Sequence, residues 1–388
     1  MLLYNVMDYQ DLSLKNALHV TEGHCALFYL LHSRQGPAAV HAAQVADPFI
    51  LRSEDNPVNP ALLPRAPWLF LSILLATAAC DKASTDPSVA PNEASSASGD
   101  DTAGMVDTLS GAALAVSPAA LVNECARARP EWIWCDDFDI DRLARYFEFA
   151  KAGGRFTRQP GLGLGSSYAM RSVYATTPQT SSGALHLAFG KTPQPYFRPV
   201  DAGTTKYREI YWRIFVRYPA NWQGGGAEKL SRATSFVSSS SWAQAMIAHV
   251  WSGGSAPSSD YLFIDPASGT DAAGTVRTTT YNDFSHLRWL GRAQGLTPLF
   301  SASKRTAWHC VEAHARLNTA NQSNGLFELW VDGQLDATRS GLNWVGNYST
   351  YGINAVFIEN YWNLGAPKVE ERYLDNFIVS RARIGCGT

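Results

Sequence analysis

"WHCVEAHARLNTANQSNGLFELWVDGQ", residues 308–334, is the stretch whose reading decides the fold. Taken as extended chain, it alternates, because successive side chains of a strand point to opposite faces. Val311, Ala313, Ala315 and Leu317 fall on one face, and Cys310, Glu312, His314 and Arg316 on the other. The second half repeats the pattern, with Phe327, Leu329 and Val331 opposed to Leu326, Glu328 and Trp330. Asp332-Gly333 then supplies a two-residue hairpin turn, since both residue types tolerate positive φ. One face is core, and the other carries charge and an indole.

Period-two runs recur outward from this hairpin. They are "LHLAFG" (185–190), "EIYWRIFVRY" (209–218), "QAMIAHVW" (244–251), "YLFID" (261–265), "NAVFIENYW" (354–362) and "YLDNFIVS" (373–380), punctuated by Gly, Pro, Asn and Ser clusters such as "WQGGGAEK". Twelve Trp, sixteen Tyr, seventeen Phe and thirty Gly fit a β-rich class. The only helical candidate is "DRLARYFEFAKAG" (141–153). The expectation is an all-β chain, a single jelly-roll β-sandwich of two antiparallel sheets over residues 122–388, rather than a βαβ fold. A net charge of −2 gives no global field toward nucleic acid.

Upstream, "RAPWLFLSILLATAACDK" has the basic, apolar and small-residue order of a secretory signal, and its apolar run is too short to span a bilayer comfortably. Thr77-Ala78-Ala79-Cys80 resembles a lipoprotein signal in which Cys80 is lipidated, with Thr77 where Leu is usual. Residues 58–80 are therefore expected to be a lipoprotein-type signal segment. Residues 1–57 are expected to be an upstream extension that is non-native or disordered. Residues 81–121, rich in Ser, Ala, Asp, Pro and Gly, cannot bury enough apolar surface to offset chain entropy and read as a disordered linker. The expected location is the bacterial envelope, anchored or secreted, with membrane contact only through the lipid. Four cysteines remain beyond Cys80: Cys125, Cys135, Cys310 and Cys386. An oxidising compartment makes disulfides the expectation, and Cys135 with Cys386 is the favoured pair, as first and last strands of such folds commonly neighbour each other.

"YWRIFVRYPANW", "WHCVEAHARLN", "GLFELWVDGQ" and "YLDNFIVSRARIGC" resemble the concanavalin A-like jelly rolls of bacterial polysaccharide lyases, especially the family 14 alginate and glucuronan lyases. The resemblance covers roughly the last 260 residues, a domain of ordinary size. It implies cleavage of a uronic-acid polymer by β-elimination. That chemistry neutralises the carboxylate, removes the C5 proton with a base and protonates the departing oxygen with an acid. "GGGAEKLSRA" is similar to the family's Gly-Gly-x-Lys-Leu stretch, which makes Lys229 a catalytic candidate, although Ser231-Arg232 stands where the family continues Pro-Gly. His249 sits where the related strand carries arginine, and Tyr261 where a catalytic tyrosine is expected. By that analogy Tyr261 is acid or base, with Lys229 and His249 neutralising or assisting.

Strand alternation puts Tyr211, Arg213, His314, Arg316 and Trp330, together with His249 and Tyr261, on one face opposite the core, and Arg232 and Tyr361 complete the candidate substrate-binding set. Aromatic rings suit pyranose faces and cations suit carboxylates. An ordinary solvated sheet face would carry the same residue types. Three functions remain open: a polysaccharide lyase, a non-catalytic glycan-binding module, and a structural envelope protein. No cofactor is called for, and no catalytic metal. "CDDFD" (135–139) and "LDN" (374–376) leave room for a structural calcium. His309 and His314 are five apart and so face opposite ways, "GLGLGSS" lacks the strand and helix of a nucleotide site, and no ExDxxE run marks a jelly-roll glycosidase.

Overall fold

The computed structural model describes residues 4–9, 12–21 and 24–29, and residues 121–387 with interruptions at 177–179, 195, 224–226 and 254–259. The chain divides into two units, Met1–Asp100 and Asp101–Thr388. In the first, Tyr4–Tyr9, Leu12–Thr21 and His24–Tyr29 form a three-stranded antiparallel sheet. The expected signal segment, Cys80 and the expected linker up to residue 120 lie outside the described residues. Leu121, the last residue assigned to that linker, is buried against Leu164, Phe215, Cys310 and Cys386.

The second unit is a sandwich of two antiparallel eight-stranded sheets. Sheet one runs, in spatial order, Arg288–Trp289, Phe263–Ser268, Gln244–Trp251, Lys229–Phe236, Ala355–Trp362, Thr180–Ala188 and Glu148–Ala150, with Ala293–Gln294 also paired to Phe263–Ser268. Sheet two runs Gln334–Leu342, Gly325–Val331, His309–Arg316, Glu209–Arg217, Glu370–Ser380, Ala169–Tyr174 and Phe156–Gln159, with Trp132–Asp136 on the far half of Glu370–Ser380. The jelly-roll class read from the sequence is the class observed.

The alternation decides which way each strand faces. Val311 opposes Val331 across the hairpin, and Asp332 and Gly333 turn the chain at φ 52° and 83°. Sheet two sends Ile210, Trp212, Ile214, Val216, Val311, Ala313, Phe327 and Leu329 into the core. Sheet one answers with Leu230, Met246, Ala248, Val250, Leu262, Ile264, Val356 and Ile358. Each large aliphatic or aromatic side chain so buried contributes about 1.5–3 kcal/mol. Several polar side chains buried between the sheets hydrogen-bond one another. The Trp212 indole donates to Ser231 Oγ at 3.0 Å, and the Tyr174 hydroxyl donates to Glu228 at 2.7 Å. Arg372 reaches across from sheet two to form a fully buried ion pair with Glu228, and it also donates to the Lys229 carbonyl at 3.0 Å.

Two expectations are corrected. Residues 141–153 are not a helix: Leu143–Arg145 is a single 3-10 turn and Glu148–Ala150 an edge strand. Tertiary contacts override helical propensity here, for Tyr146 is drawn inward to donate to Asp136 at 3.0 Å while Glu148 is held by His186 at 2.9 Å. The disulfides are Cys125–Cys135 and Cys310–Cys386, not Cys135–Cys386. The first and last strands do neighbour each other, with Cys135 opposite Ile378. The chain then runs on past its last strand and brings Cys386 over sheet two to Cys310, while the turn at Glu124–Arg127 delivers Cys125 to Cys135.

Candidate active site

The outer face of sheet one carries a straight row of side chains set by strand register. Asp265 lies opposite His249, His249 opposite Arg232, Arg232 opposite Phe357, Phe357 opposite His186, and His186 opposite Glu148. These residues face outward because their neighbours Ile264, Ala248, Ala233 and Val356 are committed to the core. Directly opposite residues on one face bring their Cβ atoms to about 4.5–5.5 Å, so register alone makes the row continuous. A bulge between Lys229 and Ser231 interrupts the alternation and turns Lys229 to the outer face as well. There its ammonium lies 4.7 Å from the centre of the Tyr361 ring.

At the centre, Arg232 is fully buried. Its Nε donates to Glu359 Oε2 at 3.0 Å and its Nη1 to Asn282 Oδ1 at 2.7 Å, while Nη2 donates to both Glu359 Oε1 and the Tyr281 hydroxyl. Burial alone would raise the Glu359 carboxyl, but Arg232, His249 and Lys229 together outweigh it and hold Glu359 well below the ordinary carboxylate range. Tyr281, buried beside this pair, is pushed up and stays protonated. His249 is only 4% exposed, with Nε2 3.5 Å from Glu359 Oε2, a separation that leaves the imidazole facing the carboxylate without a formed hydrogen bond. Burial lowers its pKa to about 4, Arg232 and Lys229 adding to the effect and Glu359 opposing it. The imidazole is therefore neutral at neutral pH.

The sequence-derived residues divide between two surfaces. Lys229, His249, Arg232 and Tyr361 come together on the outer face of sheet one. Tyr261, half-buried, precedes the strand Phe263–Ser268 by two residues. Tyr211, Arg213, His314, Arg316 and Trp330 lie instead on sheet two, turned away from the same core, so the single face on which they were expected to join His249 and Tyr261 does not form. Arg213 there is fully buried against Glu124 under the turn at Glu124–Arg127. His314 is clamped between Glu328 and Glu209, each at 2.8 Å, and stacked on Tyr211 at 4.0 Å. Arg383 covers Trp330 at 4.4 Å, and Arg316 is exposed.

Several residues of the site escape a reading by alternation from the expected motifs. Glu359 shares a face with Tyr361 at a spacing of two, and Asp265 shares one with Phe263, so both are within reach of the same periodicity. Tyr281 and Asn282 arrive from a loop and carry no periodic signal. Arg292, exposed, holds its guanidinium 5.3 Å from the centre of the Phe263 ring. A separate cavity of about 610 Å³, lined by Tyr146, Phe147, Phe149, Lys151 and Arg198 among others, touches none of this cluster.

No family model matches the chain, and no curated protein does. Solved structures do match. The endo-β-1,4-glucuronan lyase of the fungus Trichoderma reesei is 11% identical, covering 65% of this chain and 96% of that one at a TM-score of 0.44. An alginate lyase from a Chlorella virus is 13% identical (69% and 98%, TM-score 0.42), and a marine alginate lyase from Aplysia kurodai is 13% identical (65% and 99%, TM-score 0.43). These are similarities of outline alone.

Among the described residues no group of three or more His, Cys, Asp or Glu is placed to hold a metal ion. The carboxylates of the two acidic stretches are engaged by protein donors. Asp137 accepts from Arg142 and the Cys125 amide, Asp139 from the Tyr168 amide, and Asp375 from the Leu164 amide.

Proposed function

We propose that the outer face of sheet one binds a uronate-containing polysaccharide and cleaves it by β-elimination. The observation that carries the reading is the buried neutral His249 set between the Glu359 carboxylate and two cationic side chains. β-Elimination needs a base that is unprotonated at working pH beside cations that stabilise the enolate growing on the substrate carboxylate. Glu359 favours the proton on Nε2, which leaves Nδ1 as the lone-pair nitrogen for C5–H. Lys229 supplies positive charge to the uronate carboxylate, a role also implied by the similarity of "GGGAEKLSRA" to the lyase stretch. The Tyr361 and Trp251 rings offer apolar surface for a pyranose.

One observation favours the second reading, a glycan-binding module without turnover. The Arg232 guanidinium spends four of its five N–H donors on Glu359, Tyr281 and Asn282, so the most buried cation of the site serves the protein rather than a ligand. Export belongs to the same proposal, and two disulfides suit an oxidising compartment.

The test is to incubate the purified chain with alginate, glucuronan and related polymers and to follow ultraviolet absorbance of the unsaturated product. Turnover lost in Lys229→Ala and in His249→Asn supports the lyase. Binding without turnover in the unsubstituted protein replaces it with the module. A separate Tyr261→Phe variant reads whether that phenol takes part.

A further inference from the structure

Asp265 sits in the outer row of sheet one, directly across the ladder from His249, and neither the base nor the cationic roles make use of it. Its side chain points outward because Leu262 and Ile264 are in the core. It is 8% exposed, and among the described residues no Lys, Arg or His comes within ion-pairing distance of its carboxylate. On its other side the two short strands Arg288–Trp289 and Ala293–Gln294 leave a gap, since they pair with Ala267–Ser268 and with Phe263–Ile264 but not with Asp265 itself. Among the described residues, the titratable groups that face it are His249 from the neighbouring strand, Arg292 from the segment between the two short strands, and, one strand further, Arg232 with its partner Glu359.

We propose that Asp265 is the acid that protonates the departing glycosidic oxygen, acting across the ladder from His249. The proposal rests on the lyase reading and assigns the one role that reading leaves unfilled. His249 takes the C5 proton, the C5–H electron pair becomes the C4=C5 double bond, and the C4–O bond breaks with its electrons going to oxygen. The Asp265 carboxyl hands its proton to that oxygen. No oxidant or reductant is needed, and solvent returns a proton from His249 to Asp265 between turnovers.

Distance favours Asp265 over Tyr261. The two reacting atoms are on adjacent ring carbons, so acid and base must stand within one sugar's width of each other. Cross-strand neighbours meet that condition at about 5 Å. Tyr261 precedes the strand by two residues, so the ladder that sets Asp265 directly across from His249 does not extend to it. The protonation states agree with the geometry. Burial raises Asp265 to about 6, with Arg292 opposing, while His249 is held at about 4. Between those values the acid is protonated and the base is free, the arrangement in which two environments push two groups into complementary roles.

The experiment compares unsubstituted protein, Asp265→Asn and Asp265→Glu on two substrates, a 4-linked uronate polymer and a uronide bearing an aryloxy group at C4 that leaves without protonation. Asp265→Asn is expected to lose about 100-fold or more in kcat on the polymer, with KM changed by no more than about threefold. It should also lose the decline in kcat that the unsubstituted protein shows as pH rises through about 6, while keeping its rate on the aryloxy substrate. Asp265→Glu restores part of the polymer rate. Folding gives an independent control. A carboxyl raised to about 6 contributes stability that is lost as pH rises through that value, so Asp265→Asn should be at least as stable as the parent at neutral pH. An unchanged polymer rate in Asp265→Asn overturns the assignment alone, and so does equal loss on both substrates. A parent protein that turns over neither substrate overturns the lyase reading, and the acid role with it.

Discussion

His249 is neutral at a pH where an exposed histidine would be partly charged, and that single difference links stability to chemistry. The unfolded chain binds the proton near the ordinary 6.5, the folded one only near 4. The contribution is therefore complete above about pH 6.5 and is lost as pH falls toward 4, about 3 kcal/mol in all. Urea unfolding from about pH 7 to about pH 4 should show this slope in the parent and a flatter one in His249→Asn. Glu359 makes a sharper case. Removing it in Glu359→Ala strands the buried Arg232 charge, so the expected cost is about 3–5 kcal/mol, read as a lowered denaturation midpoint. A loss below about 1 kcal/mol would mean that the pair is solvated. Neither residue's partner is visible in sequence: alternation places His249 on an outward face correctly, but the carboxylate it meets comes from more than a hundred residues away.

At the scale of elements, the strands are legible in the sequence and their order is not. Alternation sorts each strand's side chains into inward and outward, which is why it assigns Val311, Phe327, Ile210, Met246 and Leu262 inward, as observed. Outward, however, means two different surfaces in a sandwich, and which sheet a strand joins is set by non-local pairing that period two does not encode. Alternation thereby merges Tyr211 and His314 with His249, although they belong to the other sheet. The expected disulfide fails for a similar reason, since the last segment overshoots its strand before Cys386 closes. Loop length ranks the two bridges. Cys310–Cys386 spans 76 residues and Cys125–Cys135 spans 10, so chain entropy assigns the longer about 4–5 kcal/mol and the shorter about 3. Paired Ser variants compared by thermal unfolding should keep that order. Strand adjacency also fixes stereochemistry. His249 and Asp265 rise from one face of one sheet, so the proposed lyase reading predicts attack on one face of the sugar and a syn elimination. D-mannuronate and D-glucuronate present C5–H and C4–O on the same side, whereas L-guluronate presents them on opposite sides. Product analysis on block polymers should show the first two cleaved and poly-guluronate spared.

For the molecule as a whole, the sandwich has two outer faces with different uses of charge. On sheet two, Arg213 is locked into an ion pair with Glu124, and His314 is held by hydrogen bonds to Glu209 and Glu328. On sheet one, the Arg232–Glu359 pair serves as a rigid floor beside which Lys229, His249 and Asp265 are arrayed. Arg372 ties that floor to the opposite sheet through the Lys229 carbonyl, so the site is braced from within the core. The most direct measurement is the rate of unsaturated-product absorbance when the purified chain meets a 4-linked polymer of D-mannuronate or D-glucuronate. Measurable turnover by the parent, falling at least about 100-fold in His249→Asn while Tyr211→Phe and His314→Gln on the other face stay near the parent rate, is the predicted result. Turnover unaffected by His249→Asn, or abolished only by the sheet-two variants, would contradict it.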